Sequence, residues 1–582
     1  MLNENKIWFG KSGNTKIYAL PKMANRHGMI AGATGTGKTV TLKVLAESFS
    51  SIGVPVFLAD VKGDLGGMCN PGVETEDMKA RIERFGLEEE GFKFESFPTV
   101  FWDVYAEKGL PLRTTISEMG PVLLSRILEL NEIQSDILSV VFKIADDEGL
   151  LLIDTKDLRS MLTYVSENNK ELSSRYGSMS SQSLGAIIRS LIALEGQGGE
   201  QFFGEPALDI RDWIACDYTG KGKINVLDCQ KLINNPTMYS SFMLWMLSEL
   251  YETLPEAGDL DRPRMVFFFD EAHMLFDSAS KSLLDKIEQI VKLIRSKGVG
   301  VFFITQNPKD IPDGVLGQLG TKIQHALRAY TPSELKSAKA AAQAFRENPA
   351  FDTFQVLTEL GIGEALVSVL DESGVPTIVE RCNILPPQSQ MGAIDEATRN
   401  SKIQSEQLYI KYVESVDRDS AYEFLQRKAI SDAEEKARAE EVARIEKQRA
   451  ADEAAALKEA KRQADAERKA AERAEIQAQK EAERQAIAEQ KAAEKAALAA
   501  QKQAEKEALA AQRAAEKEEE AKKRAVKSAG KSVANSVAGT IGREAGKNLG
   551  KSVGGSFGKT LGGNVGASLG RGIIGTLFSI KK

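Results

Sequence analysis

The chain has 582 residues, 27% of them charged and 42% hydrophobic, with a formal net charge of −7. That length exceeds one compact core and predicts roughly two to four units, with elongated segments counted separately. The charge is uneven: residues 431–527 balance 23 acidic against 23 basic side chains, residues 528–582 carry +7, and −14 falls on residues 1–430, which argues against a broad basic face for non-specific DNA binding and leaves only a local basic pore open.

The first residues, "MLNENKIWFG", lack the apolar region of a signal peptide. No uncharged apolar run reaches the roughly 18 residues of a membrane-spanning helix, so the cytoplasm is the expected location. From residue 1 to about 385, short β-rich runs alternate with amphipathic helical patterns, which predicts an α/β fold with a parallel sheet. The strands expected are "GMIAGA" (28–33), "PVFLAD" (55–60), "KINVLD" (223–228), "RMVFFFD" (264–270), "VGVFFIT" (299–305) and "KIQHALR" (322–328). Their apolar density suits strands covered on both faces. Between 113 and 215 long helical patterns take over, "PVLLSRILELNEIQSDILSVVFKIADDEG" among them. The expected organisation is a core whose first part is 1–112, a mainly helical insertion over 113–215, and a second core part over 216–385.

After "NILPPQSQMG" helix-favouring residues dominate, and 393–527 reads as a long charged, alanine-rich helix or coiled coil. Ile476, Ile487, Leu498 and Leu509 recur every eleven residues, a period that favours a nearly straight or slightly right-handed coiled coil. One large apolar residue per repeat is a thin seam, so a solvated single helix stays open beside the coiled coil. In 528–582 glycine recurs every fourth residue from Gly542 to Gly570. On a helix this makes a small-residue stripe that would need a partner helix or a membrane surface, since each glycine costs about 1 kcal/mol against alanine. A disordered glycine/serine-rich tail is the alternative.

Cys69, Cys216, Cys229 and Cys382 are scattered, and His27, His273 and His325 add no metal-ligand spacing. Free thiols in a reducing compartment are expected.

The chemistry concentrates in "GATGTGKT", residues 32–39. Gly32, Gly37, Lys38 and Thr39 fit G-x-x-x-x-G-K-[ST], between a predicted strand and a predicted helix, the context this phosphate-binding loop requires. The loop Gly32, Ala33, Thr34, Gly35, Thr36, Gly37, running into Lys38, Thr39 and Val40, would wrap main-chain amides around phosphates at a helix N-terminus. Lys38 would reach the β- and γ-phosphates of ATP, and Thr39 would bind Mg²⁺. "MVFFFDEAH" (265–273) is an apolar strand ending in two acids: Asp270 to hold the metal with Thr39, Glu271 to polarise the attacking water as general base. "VGVFFITQNP" (299–308) ends a neighbouring strand in Thr305 and Gln306, where a polar side chain can sense the γ-phosphate. "DEAH" also occurs in two-lobed superfamily-two helicases, but no Q-x-x-R-x-G-R element follows residue 305 and there is one phosphate loop.

With "FLADVKGDLGG" (57–67), "LIRSKGVGVFFITQNPKDIP" (293–312) and "GGEQFFGEP" (198–206), these motifs make residues 1–385 resemble the HerA–FtsK superfamily of ring-forming translocating ATPases, most closely HerA-like bacterial ATPases of the YjgR type. The resemblance implies a RecA-like P-loop core, ATP hydrolysis, a homo-hexamer and double-stranded DNA as the usual track. It implies that Asp60, in a D-x-[KH]-G-[DE] pattern with Lys62, Gly63 and Asp64, lies near metal and water, with a plain cap as the alternative. It implies that Gln306 is the sensor and that Arg295, with Arg328 as runner-up, reaches a neighbouring subunit's site. About 27 residues precede the strand that leads into the phosphate loop, so a full N-terminal barrel like that of archaeal relatives is not expected. Conjugation and secretion relatives suggest an alternative, an ATPase powering protein assembly or export at a membrane, which the 431–582 region would serve.

Overall fold

Strands that are apolar on both faces can be buried only when both faces of the sheet are covered, and the central runs "GMIA", "VFLA", "MVFFF" and "VGVFFI" are of that kind. A computed structural model describes residues 1–277, 281–478 and 495–510. Its spine is a 13-stranded sheet. The strands are β1 (Leu2–Asn3), β2 (Lys6–Ser12), β3 (Thr15–Ala19), β4 (Gly28–Ala31), β5 (Val56–Asp60), β6 (Thr99–Asp103), β7 (Leu110–Pro111), β8 (Ile224–Asp228), β9 (Met265–Phe269), β10 (Val299–Thr305), β11 (Thr321–His325), β12 (Glu364–Ser368) and β13 (Glu380–Ile384). The parallel part runs β11-β4-β10-β9-β5-β8-β6-β7. The six runs expected from the sequence fall on β4, β5, β8, β9, β10 and β11.

Alternation along each strand divides the core. Met265, Phe267 and Phe269 of β9 with Val299, Val301 and Phe303 of β10 face one buried cluster, shared with the helices Ile116–Ile127, Glu132–Glu148, Pro236–Thr253 and Lys281–Ile294. Val266, Phe268, Phe302 and Ile304 face the other, with Leu42, Leu45, Ala46 and Phe49 of the helix Lys38–Ser51. Phe268 and Phe302 stack across adjacent strands at 5.1 Å, the kind of cross-strand aromatic pair that stabilises a sheet.

Further strands extend the sheet beyond the sequence expectation. β12 pairs antiparallel with β11, β13 with β12, and β13 with β2, so the hairpin β2–β3 continues the main sheet. β6 adds a strand on the far side, parallel to β8.

Between β7 and β8 the chain is helical, and the sequence marks the starts. Thr115 with Glu118, Asn131 with Gln134, and Asp154 with Asp157 form reciprocal caps on the helices Ile116–Ile127, Glu132–Glu148 and Thr155–Glu167. The chain divides into two units near Gln426. In the second, the helix Ala421–Ala478 continues with every side chain exposed from residue 431 to 467, and residues 495–510 are again helical. Most of the eleven-residue repeats and all of the glycine-repeat tail lie outside the described residues. Among the described residues no helix is long and apolar enough to cross a membrane.

Candidate active site

In a parallel sheet of this kind ligands bind at the carboxyl ends of the strands. β4 ends at Ala31 and the next helix begins at Lys38. The intervening loop uses its glycines: φ is +151° at Gly32, +76° at Gly35 and +113° at Gly37, angles that side-chain-bearing residues rarely adopt. The loop is tied to its neighbours at both ends. Gly32 N donates to Thr305 O at 3.2 Å and Ala33 N to Ala326 O at 2.9 Å, while Gly363 N donates to Thr36 O at 2.9 Å. Thr36 Oγ1 donates to Ala33 O at 2.7 Å. Thr34 and Gly35 form the exposed tip, and Thr39 and Val40 are half-buried in the first helical turn.

Lys38 is buried, and its ammonium donates to the carbonyls of Gly32 at 2.5 Å and Ala33 at 3.1 Å. Burial and the nearby Lys62 charge lower its pKa, against the opposing pull of Glu271 and Asp270.

Beneath the loop sits His325, fully buried at the end of β11. Its Nδ1 lies 2.8 Å from Glu364 O, and its Nε2 lies 2.8 Å from Thr41 Oγ1. A carbonyl only accepts, so Nδ1 carries the proton and Nε2 accepts the Thr41 hydroxyl. Burial pushes the imidazole pKa down to about 4, which keeps it neutral beneath the loop. A Cβ on Gly32 would stand 2.5 Å from His325 Cβ, and one on Gly37 would stand 3.2 Å from Gly363 Cα. The β11–β12 pair is therefore the floor that sets the loop's height.

Two strands over from β4, β9 delivers Asp270 and Glu271, both buried. Glu271 has φ +48°, a strained angle for a side-chain-bearing residue of the kind concentrated at functional sites. Gln306, just past the intervening β10, donates from Nε2 to both Glu271 oxygens at 3.3–3.4 Å. Lys62 Nζ is 2.7 Å from Glu271 Oε1 and 3.8 Å from Asp270 Oδ2, and His273 Nδ1 is 3.3 Å from Glu271 Oε2. Burial raises the Glu271 carboxyl pKa, but Lys62, Gln306 and His273 outweigh it and hold the group below its ordinary value. Asp270, more deeply buried, is pushed up to about 6 by desolvation, with Lys62 opposing and Glu271 adding.

Of the expected site residues, the structure gathers Lys38, Asp270, Glu271 and Gln306 at the ends of three consecutive strands. Asp60 ends β5, and its carboxylate accepts the main-chain N–H of Gly63 at 2.7 Å, Asp64 at 3.2 Å and Leu65 at 3.1 Å. Desolvation and the neighbouring Asp64 push it up to about 7. Arg295 is exposed and precedes β10, whereas the site lies where β10 ends; seven residues of strand, roughly 20 Å, separate the two ends. Arg328 donates to the carbonyls of Thr358 at 2.9 Å and Leu360 at 3.1 Å. Sequence reasoning missed His325, Thr41 and Gly363 as loop supports and Lys62 as the partner of Glu271. Lys62 lay inside a quoted motif; the others carried no local signal.

The sheet order, the loop after its central strand and the two acids define a RecA-like P-loop nucleotide hydrolase. A family model described as Helicase HerA-like C-terminal matches residues 6–495, and the chain belongs to that family, making it a HerA-like P-loop ATPase. Among curated proteins, a DNA double-strand break repair helicase HerA from Sulfolobus acidocaldarius is 23% identical over 378 residues, 64% of this chain and 67% of the relative. A protein named as a probable helicase in Methanocaldococcus jannaschii is 34% identical over 155 residues, 25% of this chain and only 28% of the relative. Among solved structures, the conjugative coupling protein TrwB aligns over 68% of this chain and 91% of its own at 12% identity and TM-score 0.44. VirB4 of Thermoanaerobacter pseudethanolicus aligns over 66% and 97% at 16% identity and TM-score 0.44. At those values neither structural likeness bears on function.

Proposed function

We propose that this ATPase is a ring-forming motor that moves double-stranded DNA, most simply as a homo-hexamer working in the cytoplasm. The observation that carries the chemical part is the convergence of Lys38, Asp270, Glu271 and Gln306 on one loop edge. The residues fit a nucleoside triphosphate. A buried ammonium turned onto its own loop's carbonyls is a cation that phosphate oxygens would claim, and the left-handed glycines leave a cradle that side chains would fill. Thr39 and Asp270 would hold Mg²⁺; a divalent cation would reverse the burial that raises Asp270. The metal, when bound, neutralises charge developing on the phosphates. Glu271 takes a proton from the attacking water, whose oxygen bonds to the terminal phosphorus as the bond to ADP breaks. Gln306, hydrogen-bonded to Glu271, orients that water.

Arg295 supports the ring. It stands at the wrong end of β10 for its own site, and its exposure suits a residue offered to a neighbour. Asp60 supports the site through the loop bearing Lys62, and Arg328 has its guanidinium already engaged by carbonyls. The HerA relatives named as DNA repair helicases support duplex DNA as the track. Four free cysteines suit a reducing compartment. The test is ATPase rate with and without duplex DNA: stimulation of several-fold is expected, and a rate indifferent to duplex at every length removes DNA as the substrate and shifts the reading to protein translocation.

A further inference from the structure

Lys62 is half exposed, yet the main chain that carries it is fixed. Asp60 accepts three amides from residues 63–65, and Gln230 Nε2 donates to the Lys62 carbonyl at 2.9 Å. Gln230 also packs on Gly63, where a Cβ would stand 2.2 Å from its Nε2. The freedom at this point of the loop therefore lies in the lysine side chain, 41% exposed.

That side chain decides the state of Glu271. Oε1 is met by Lys62 and Gln306, and Oε2 by Gln306, with His273 Nδ1 3.3 Å away. A carboxylate held by a cation and an amide donor is a poorer proton acceptor. Gln306 is neutral and holds at 3.3–3.4 Å; Lys62, at 2.7 Å, is the close, charged contact. For Glu271 to take a proton from water, Lys62 has to leave, and only a stronger anion would draw it away. The phosphate loop would supply one: it follows β4, and the acids that Lys62 holds follow β9, two strands over at the same edge of the sheet.

We propose that Lys62 is a terminal-phosphate sensor: it pairs with Glu271 in the nucleotide-free site and exchanges that carboxylate for the γ-phosphate, freeing Glu271 to act as base. The inference rests on the ATPase reading and deepens it. The exchange breaks one ion pair and forms another, with no covalent change. Lys62 is thus a positioning residue for Glu271, and its contact with phosphate distinguishes triphosphate from diphosphate.

The experiment measures Kd for a non-hydrolysable ATP analogue and for ADP, each with magnesium, on the full chain. The proteins are wild type, Lys62→Met, Lys62→Gln, Glu271→Gln and the Lys62→Met/Glu271→Gln double variant, with melting temperatures to confirm folding. A charge-assisted hydrogen bond to phosphate predicts that both Lys62 variants weaken analogue binding by about tenfold or more and leave ADP within about twofold. Glu271→Gln, which removes the competing charge, should tighten the analogue, and the double variant should lose that gain. Equal weakening of both nucleotides would show that Lys62 only shapes the loop, and unchanged discrimination would show that it does not meet the phosphate; either overturns the proposal. A wild-type protein that binds neither nucleotide defeats the ATPase reading instead, so the two failures are distinguishable.

Discussion

Gly32→Ala is the sharpest perturbation of the loop. At φ +151° the alanine would occupy a region that is essentially glycine-only, at about 1–3 kcal/mol. Its methyl would also stand 2.5 Å from His325 Cβ and 3.1 Å from His325 Cα. His325 cannot retreat: β11 is paired with β4 on one side and β12 on the other, and both ring nitrogens are engaged. Overpacking of that sort costs a further ~1–3 kcal/mol, for about 2–6 kcal/mol together. Gly35→Ala is the control. Its φ of +76° carries strain, but nothing stands within 4 Å of the added methyl, so the cost is about 1–2 kcal/mol. Urea denaturation measures the stabilities. A thermal shift with magnesium and a non-hydrolysable ATP analogue measures the loop, since ligand at a hundred times Kd stabilises by about 2.7 kcal/mol. Gly32→Ala should lose stability and most of the ligand-dependent shift, and Gly35→Ala should keep the greater part of both. A Gly32→Ala protein with wild-type stability and a full shift would refute the reasoning that β11 sets the loop's height.

Two further outcomes test separate parts of the molecule. Arg295→Ala should lower turnover by about a thousandfold or more if the guanidinium serves a neighbouring site, and mixing it with Glu271→Gln subunits should restore activity; no recovery in mixed rings would return Arg295 to an ordinary surface role. His27 is fully buried, with Nε2 on Val291 O at 2.7 Å and Val301 N on Nδ1 at 3.1 Å, and burial holds its pKa at about 4 against an ordinary 6.5. The unfolded chain takes up a proton there as pH falls from 6.5 to 4 while the folded chain does not, so its contribution, complete above pH 6.5, is lost toward pH 4, by about 3 kcal/mol. The stability gap between wild type and His27→Gln should narrow over that window in denaturant titrations; a constant gap would contradict a neutral buried imidazole.

What could be read from the sequence was whatever lies contiguously along it. The phosphate loop, the acids after β9 and Gln306 after β10 are each local motifs, and β4, β5, β9 and β10 are almost wholly apolar because both faces are covered. β12, β13 and the N-terminal hairpin escaped notice because their pairing is set by distant partners: Asn383 of β13 lies opposite Lys11 of β2. β12, "EALVS", and β13, "ERCNI", mix charged with apolar residues and resemble loop or helix segments. In the sequence His325 is simply one residue of a strand, since its role under the loop depends on Thr41 and Glu364. Lys62 was visible in its motif, but its pairing with Glu271 exists only once β5 and β9 lie side by side. The sheet was therefore legible at its centre and illegible at its edges.

The central claim is that Glu271 primes water against a triphosphate gripped by residues 32–39. Labelled ATP and magnesium, followed for retention and cleavage by wild type and by Glu271→Gln, test it most directly. Wild type should retain and cleave ATP, and the variant should retain it while cleaving at least about a hundredfold more slowly. Wild-type cleavage by the variant, or neither retention nor cleavage by wild type, would contradict the account.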